Sequence, residues 1–158
     1  MSTETAKLLK QYAEVINKLR TKGVIRSKNN PAGDYAESLA MKAFSLSPCP
    51  KSQKGYDAFD EDYRYEVKAR RITEDNGSRQ LSAIRKIDEN HFDYVIAILF
   101  QWDFTIYRAA KIPHRIVKEH ARHKAHTNAA IFILSDSVWG IEGVEDVTAV
   151  IRAAAELV

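Results

Sequence analysis

Apolar and polar positions change rhythm several times along this chain, and each rhythm predicts an element. Over residues 3–22, Leu8, Leu9, Tyr12, Val15, Ile16 and Leu19 recur at helical spacing, and Gly23 closes the run, which predicts an amphipathic helix. Asn30 followed by Pro31 is a helix start, because the asparagine can cap and the proline removes no intrahelical amide bond. That second helix is expected to reach about Ser45, before Pro48 and Pro50 prevent its continuation. Residues 55–59 and 63–71 predict a hairpin across the acidic turn Asp60-Glu61-Asp62.

After a polar loop (residues 72–78, with Asn76-Gly77 as its turn), residues 80–88 predict a short helix. Residues 93–100 are nearly all apolar, as in a central strand covered on both faces. Residues 104–110 read as its hairpin partner, 113–122 as a basic helix, 130–134 as a strand and 147–157 as a final helix. Interleaved strands and helices predict an α/β (α+β) chain with a mixed central sheet flanked by helices. No linker or repeat divides it, so one domain over residues 1–158 is expected.

Composition narrows the setting. The 158 residues are 45% hydrophobic, enough for a sizeable core, and no apolar run approaches the roughly 20 residues of a membrane span. The polar, acidic start does not read as a signal peptide, and the single cysteine, Cys49, rules out an internal disulfide. A cytoplasmic location is expected. Net charge is only +3, but its distribution is uneven. Arg108, Lys111, Arg115, Lys118, Arg122 and Lys124 face one acid, Glu119, within their stretch. Arg64, Lys68, Arg70, Arg71, Arg79, Arg85 and Lys86 form a second basic cluster. Such asymmetry suits a polyanion, because each neutralised phosphate releases counterions; a basic but merely solvated surface gives the same counts.

The chemistry-bearing stretch is Gly55-Tyr56-Asp57-Ala58-Phe59 followed by Tyr65-Glu66-Val67-Lys68. Alternate residues of a strand share a face, so Glu66 and Lys68 point together while Val67 points to the core. The neighbouring hairpin strand brings Asp57 beside them. Two carboxylates next to a lysine make a site for a hard divalent cation, most naturally Mg²⁺, with Mn²⁺ able to substitute. Lys68 can orient or deprotonate a water, or stabilise transition-state charge. An ordinary half-exposed strand with cross-paired charges has the same alternation.

These residues resemble the PD-(D/E)XK, or restriction-endonuclease-like, phosphodiesterases, over about residues 31–100. Tyr56 stands where the family's name has proline. The resemblance implies a helix-strand-hairpin-helix-strand core and a Mg²⁺-dependent endonuclease acting on DNA. It also implies Asp57, Glu66 and the Val67 carbonyl as metal ligands and Lys68 as the catalytic lysine. Many members add a glutamate from the preceding helix, and Glu37 is the match; Gln80 resembles a glutamine that some members place near the metal. Arg70, Arg71, Arg115, Lys118, Arg122 and Lys124 are then expected to contact nucleic acid, with Arg115, Lys118 and Arg122 on one side of the basic helix. Cutting both strands needs two centres, so a homodimer is expected, through the helix of residues 3–22.

Other chemistries lack their motifs. No glycine-rich phosphate loop supports a nucleotide cofactor, and no Gly-x-Ser-x-Gly elbow supports a serine hydrolase. His114, His120, His123 and His126 come without a companion cysteine, and are read as flanking the phosphate-contacting helix rather than as a zinc site. Cys49 reads as an inert thiol, Trp102 as a turn residue and Trp139 as lying at the core edge. Two other classes stay open: a catalytically inactive nucleic-acid-binding module, and an interaction subunit of a larger defence or repair complex with its partner on the acidic C-terminal region.

Overall fold

The computed structural model describes residues 3–50 and 52–158. In chain order its elements are α1 (Glu4–Thr21), α2 (Pro31–Phe44), β1 (Ser47–Pro48), β2 (Ala58–Phe59), β3 (Arg64–Arg71), β4 (Ile84–Arg85), β5 (Tyr94–Phe100), β6 (Ile106–Pro113), α3 (His114–His120), β7 (Arg122–Lys124), β8 (Ala129–Ile131), β9 (Glu145–Asp146) and α4 (Thr148–Ala155). The architecture is mixed α/β. A six-stranded sheet in the order β1-β2-β3-β5-β6-β9 is joined by a small sheet in the order β4-β8-β7.

The centre of the large sheet follows from β5, whose run Val95 to Phe100 is fully buried. A strand apolar at every position needs cover on both faces. On one face Ile96, Ile98 and Phe100 pack with Ala36, Leu39 and Ala40 of α2 and Ile151 and Ala154 of α4. On the other, Val95, Ala97 and Leu99 pack with Leu81, Ile84, Ile116, Val117 and Phe132. β3 lies parallel to β5 and antiparallel to β2, so the expected hairpin forms and its second strand runs alongside the buried one. Asp60 tightens the turn by accepting from the Asp62 and Tyr63 amides at 2.9 and 2.7 Å. Asn30 caps α2 through the Ala32 amide at 3.0 Å.

Two expected elements differ. Residues 80–88 do not form a helix. The amides of Leu81 and Lys86 donate to the carbonyls of Phe132 and Asn128 at 3.0 Å each, and β4 pairs antiparallel with β8. Spacings of three among Leu81, Ile84 and Ile87 suit a helical face, but here Leu81 and Ile84 are buried from an extended segment that bends at Lys86, where φ is 53°, and Ile87 is buried from the single 3-10 turn Ile87–Glu89 that follows. The helix of residues 113–122 is also shorter. It stops at His120, Ala121 is extended, and Arg122–Lys124 pair as a strand with β8. The one-sided stripe of Arg115, Lys118 and Arg122 therefore does not form, because Arg122 belongs to a different element. No described helix is long and apolar enough to cross a membrane.

Candidate metal and phosphate site

The register of β2 on β3 pairs Phe59 with Arg64 and Ala58 with Tyr65, so Asp57 falls opposite Glu66. The Asp57 amide donates to the Tyr65 carbonyl at 2.8 Å, closing the ladder. Among the described residues no backbone pairing continues the β2–β3 ladder beyond it, and Asp57 Oδ2 itself accepts from the Val67 amide at 2.7 Å. A strand residue's N–H and C=O point to the same side, so the Val67 carbonyl faces this same open edge. Gly55, two residues before Asp57, packs its backbone directly against His91. Its φ is 101°, and a Cβ there would lie 2.5 Å from His91 Cβ.

Glu66 and Lys68 project from β3 to the face that β4 and its flanking crossover cover, since their β5 partners Val95 and Ala97 lie in that cluster. Lys68 Nζ sits 2.9 Å from Glu66 Oε1, with the two side chains 14% and 16% exposed. The same ammonium donates to the Ala83 carbonyl at 3.4 Å, which ties the extended crossover to the site.

Glu37 joins from α2. Its Oε2 lies 2.6 Å from Arg26 Nη2. Arg26 is held by Asp34, whose Oδ2 accepts from the amides of Arg26 and Ser27 at 2.9 and 2.8 Å and from the Ser27 hydroxyl at 2.9 Å. Arg26 and Asp34 are the residues the sequence reading missed. The available signal was Asp34 itself, an acid in the first turn of a helix, where free amides and the dipole favour an anion.

The three carboxyls share one electrostatic environment. Burial, then the Asp57 charge, push Glu37 up to about 7 against the pull of Arg26. Burial and then Asp57 also raise Glu66, with Lys68 opposing. Burial raises Asp57, opposed by the Val67 amide, Lys68 and Arg26. All three shifts report negative charge crowded out of water, which a cation would relieve.

Among the described residues, no three His, Cys, Asp or Glu side chains converge tightly enough to cage an ion. Mg²⁺ is commonly held by one or two carboxylates, with water and substrate phosphate completing the octahedron, so the donor set of Asp57, Glu66 and the Val67 carbonyl fits it. The histidines go elsewhere. His114 Nε2 lies 2.7 Å from the Ile87 carbonyl and His123 Nε2 lies 3.2 Å from the Lys118 carbonyl.

The cationic residues divide into two groups. Arg70 Nε donates to the Ser78 carbonyl at 3.1 Å. Arg71 Nε donates to the Trp102 carbonyl at 2.7 Å, with its guanidinium 4.4 Å from the Phe104 ring centre. Both arginines brace loops beside the sheet. Arg115 and Lys118 on α3 and Arg122 and Lys124 on β7 are exposed, with Lys118 paired to Asp88 at 2.9 Å. β7 lies two strands from β4, about 10 Å at ordinary strand spacing. Gln80 is exposed and bridges to Ile133, so it does not begin a helix. Cys49 Sγ contacts the carbonyls of Pro50 and Gln53 at 3.5 and 3.6 Å. Trp102 stands exposed in the β5–β6 turn, and Trp139 Nε1 donates to the Ala109 carbonyl at 3.2 Å.

No protein-family model matches this chain, and no curated protein matches it.

Proposed function

We propose that this chain is a Mg²⁺-dependent phosphodiesterase that cuts DNA, an endonuclease of the restriction-endonuclease-like kind. One observation carries the reading: Asp57 and Glu66 stand opposite each other at the open edge of β3, burial raises both carboxyls and the Asp57 charge raises Glu66 further, with Lys68 2.9 Å from Glu66. A helix before the motif strands, an antiparallel β2–β3 pair and a parallel β5 support it further. The expected helical crossover is here an extended segment, which is a departure from the family's core.

Bound there, Mg²⁺ would polarise a phosphate oxygen and lower the pKa of a coordinated water. Asp57, Glu66 and the Val67 carbonyl would hold it. Lys68, on the face of Glu66 and braced by Ala83, would orient the attacking water or offset charge on the phosphate. Glu37, partly neutralised by Arg26 and near enough to Asp57 to feel its charge, would accept from water bound in the site. Arg115, Lys118, Arg122 and Lys124 would position the phosphate backbone without reading sequence.

A second reading has its own observation. The Lys68–Glu66 contact neutralises part of the acidic pair internally, which suits a nucleic-acid-binding module that has no cleavage activity. Plasmid and structured DNA incubated with Mg²⁺ or Mn²⁺ distinguishes the two. Cleavage that Asp57→Ala and Lys68→Ala each abolish supports the nuclease. Cleavage surviving both unreduced removes this site from consideration, and salt-sensitive binding without cleavage selects the silent module.

A further inference from the structure

Helix α1 carries its large apolar residues on the outside. Among its described residues none is buried, and Leu8, Leu9, Tyr12 and Val15 are 59, 63, 66 and 52% exposed. At helical spacing these four, with Ile16 and Leu19, fill an arc of about 120°, while Lys7, Lys10 and Glu14 occupy the other side. Most helical stability in proteins comes from packing an amphipathic face, and a contiguous apolar stripe of this kind marks an interaction surface.

The order of residues on the stripe indicates what covers it. We propose that a second copy of this chain does, with the two α1 helices packed antiparallel about a two-fold axis between Tyr12 and Val15. In that register Leu8 meets the partner's Leu19, and Tyr12 meets the partner's Val15. The layers repeat symmetrically, as a two-fold interface requires.

Charge selects this direction. Glu4 and Lys22 are separated by about five full turns, so they lie on the same edge of the stripe. Antiparallel packing sets like edges together, and each Glu4 then meets the partner's Lys22 at both ends of the contact. Parallel packing would instead set Lys18 and Lys22 against the partner's Arg20. The helix has its acid, Glu4, in the first turn and Lys18 and Arg20 in the last, so antiparallel ends attract.

The apolar contact also continues past the helix. Leu19 borders a groove of about 660 Å³ lined by Val24, Ile25, Phe104 and Val158, and the partner's first helical turn ends at its mouth. This interface does not depend on the phosphodiesterase reading.

Sedimentation equilibrium of the full chain is expected to give a dimer at micromolar concentration. The double variant Leu8→Asp with Tyr12→Asp is expected to sediment as a monomer with unchanged circular dichroism from the α/β body. Cysteine pairing in a Cys49→Ser background reads the direction. A mixture of Leu8→Cys and Leu19→Cys proteins is expected to cross-link, while Leu8→Cys alone is not, because the two Leu8 positions lie about 16 Å apart along the axis. A native chain that stays monomeric to submillimolar concentration overturns the proposal. So does a Leu8→Cys protein that cross-links to itself, or a dimer whose mixed cysteines never join.

Discussion

The Val67 amide donates to Asp57 Oδ2 across 2.7 Å, so a single carboxyl both ends the β2–β3 ladder and contributes charge to the acidic centre. These two roles separate by mutation. Asp57→Asn keeps an acceptor for the amide and is expected to hold stability within about 1 kcal/mol while losing divalent-metal binding. Asp57→Ala orphans a buried amide and is expected to cost about 1–3 kcal/mol as well. Urea unfolding measures the first quantity and titration calorimetry with Mn²⁺ the second; equal unfolding midpoints for the two variants would refute the division of roles.

The pH dependence of the metal-free chain follows from Glu37, pushed up to about 7 from an ordinary 4.5. A carboxyl with a raised pKa favours the fold while protonated. Its contribution is complete below pH 4.5 and is lost as pH rises through about 7. Glu37→Gln is expected to flatten this decline and to stabilise the metal-free protein at pH 8 by about 1–2 kcal/mol, after allowance for solvent access. Thermal unfolding across this pH range checks it, and an unchanged slope in the variant contradicts it.

Metal is expected to stabilise the fold by relieving the same crowding. At about 100 times its dissociation constant the gain is roughly 2.7 kcal/mol, removed by chelator. Glu66→Gln should abolish most of it, and the effect should weaken as pH falls, because ligands must be deprotonated. A thermal shift with Mg²⁺ that is indifferent to Glu66→Gln would place any bound metal elsewhere.

Lys68→Ala is expected to lower the cleavage rate by about 10²–10⁴-fold while leaving Mn²⁺ binding in place, since the ammonium contacts Glu66 without being a ligand. Single-turnover cleavage of a labelled duplex measures it.

The exposed and the braced arginines should behave differently. Arg122→Ala and Lys124→Ala are each expected to reduce the salt slope of DNA binding by about 1. Arg70→Ala and Arg71→Ala remove braces to the Ser78 and Trp102 carbonyls, and are expected to lower the unfolding temperature more than the salt slope. Affinity measured from low to moderate salt, beside thermal unfolding, resolves both.

Local rules were enough for much of this chain. The asparagine-proline start of α2, the Asp60 turn and the all-apolar run of β5 follow from capping, turn chemistry and two-sided burial, each acting within a few residues. Alternation along β3 likewise put Glu66 and Lys68 on one face before any contact was known. Other features depend on distant segments. Leu81, Ile84 and Ile87 are spaced for a helix, yet the backbone amides of Leu81 and Lys86 donate to the Phe132 and Asn128 carbonyls and Ile84 pairs with Ala130, which no local pattern reveals. Arg26 reaches Glu37 only because Asp34 gathers the loop between the first two helices. The sequence alone determined which residues carry ionisable side chains and, where an element was read correctly as in β3, which of them share a face, because periodicity is a property of the backbone. The tertiary structure decided which of them meet and how strongly they disturb one another, because pairing between distant strands and exclusion of water arise only when the sheet is assembled.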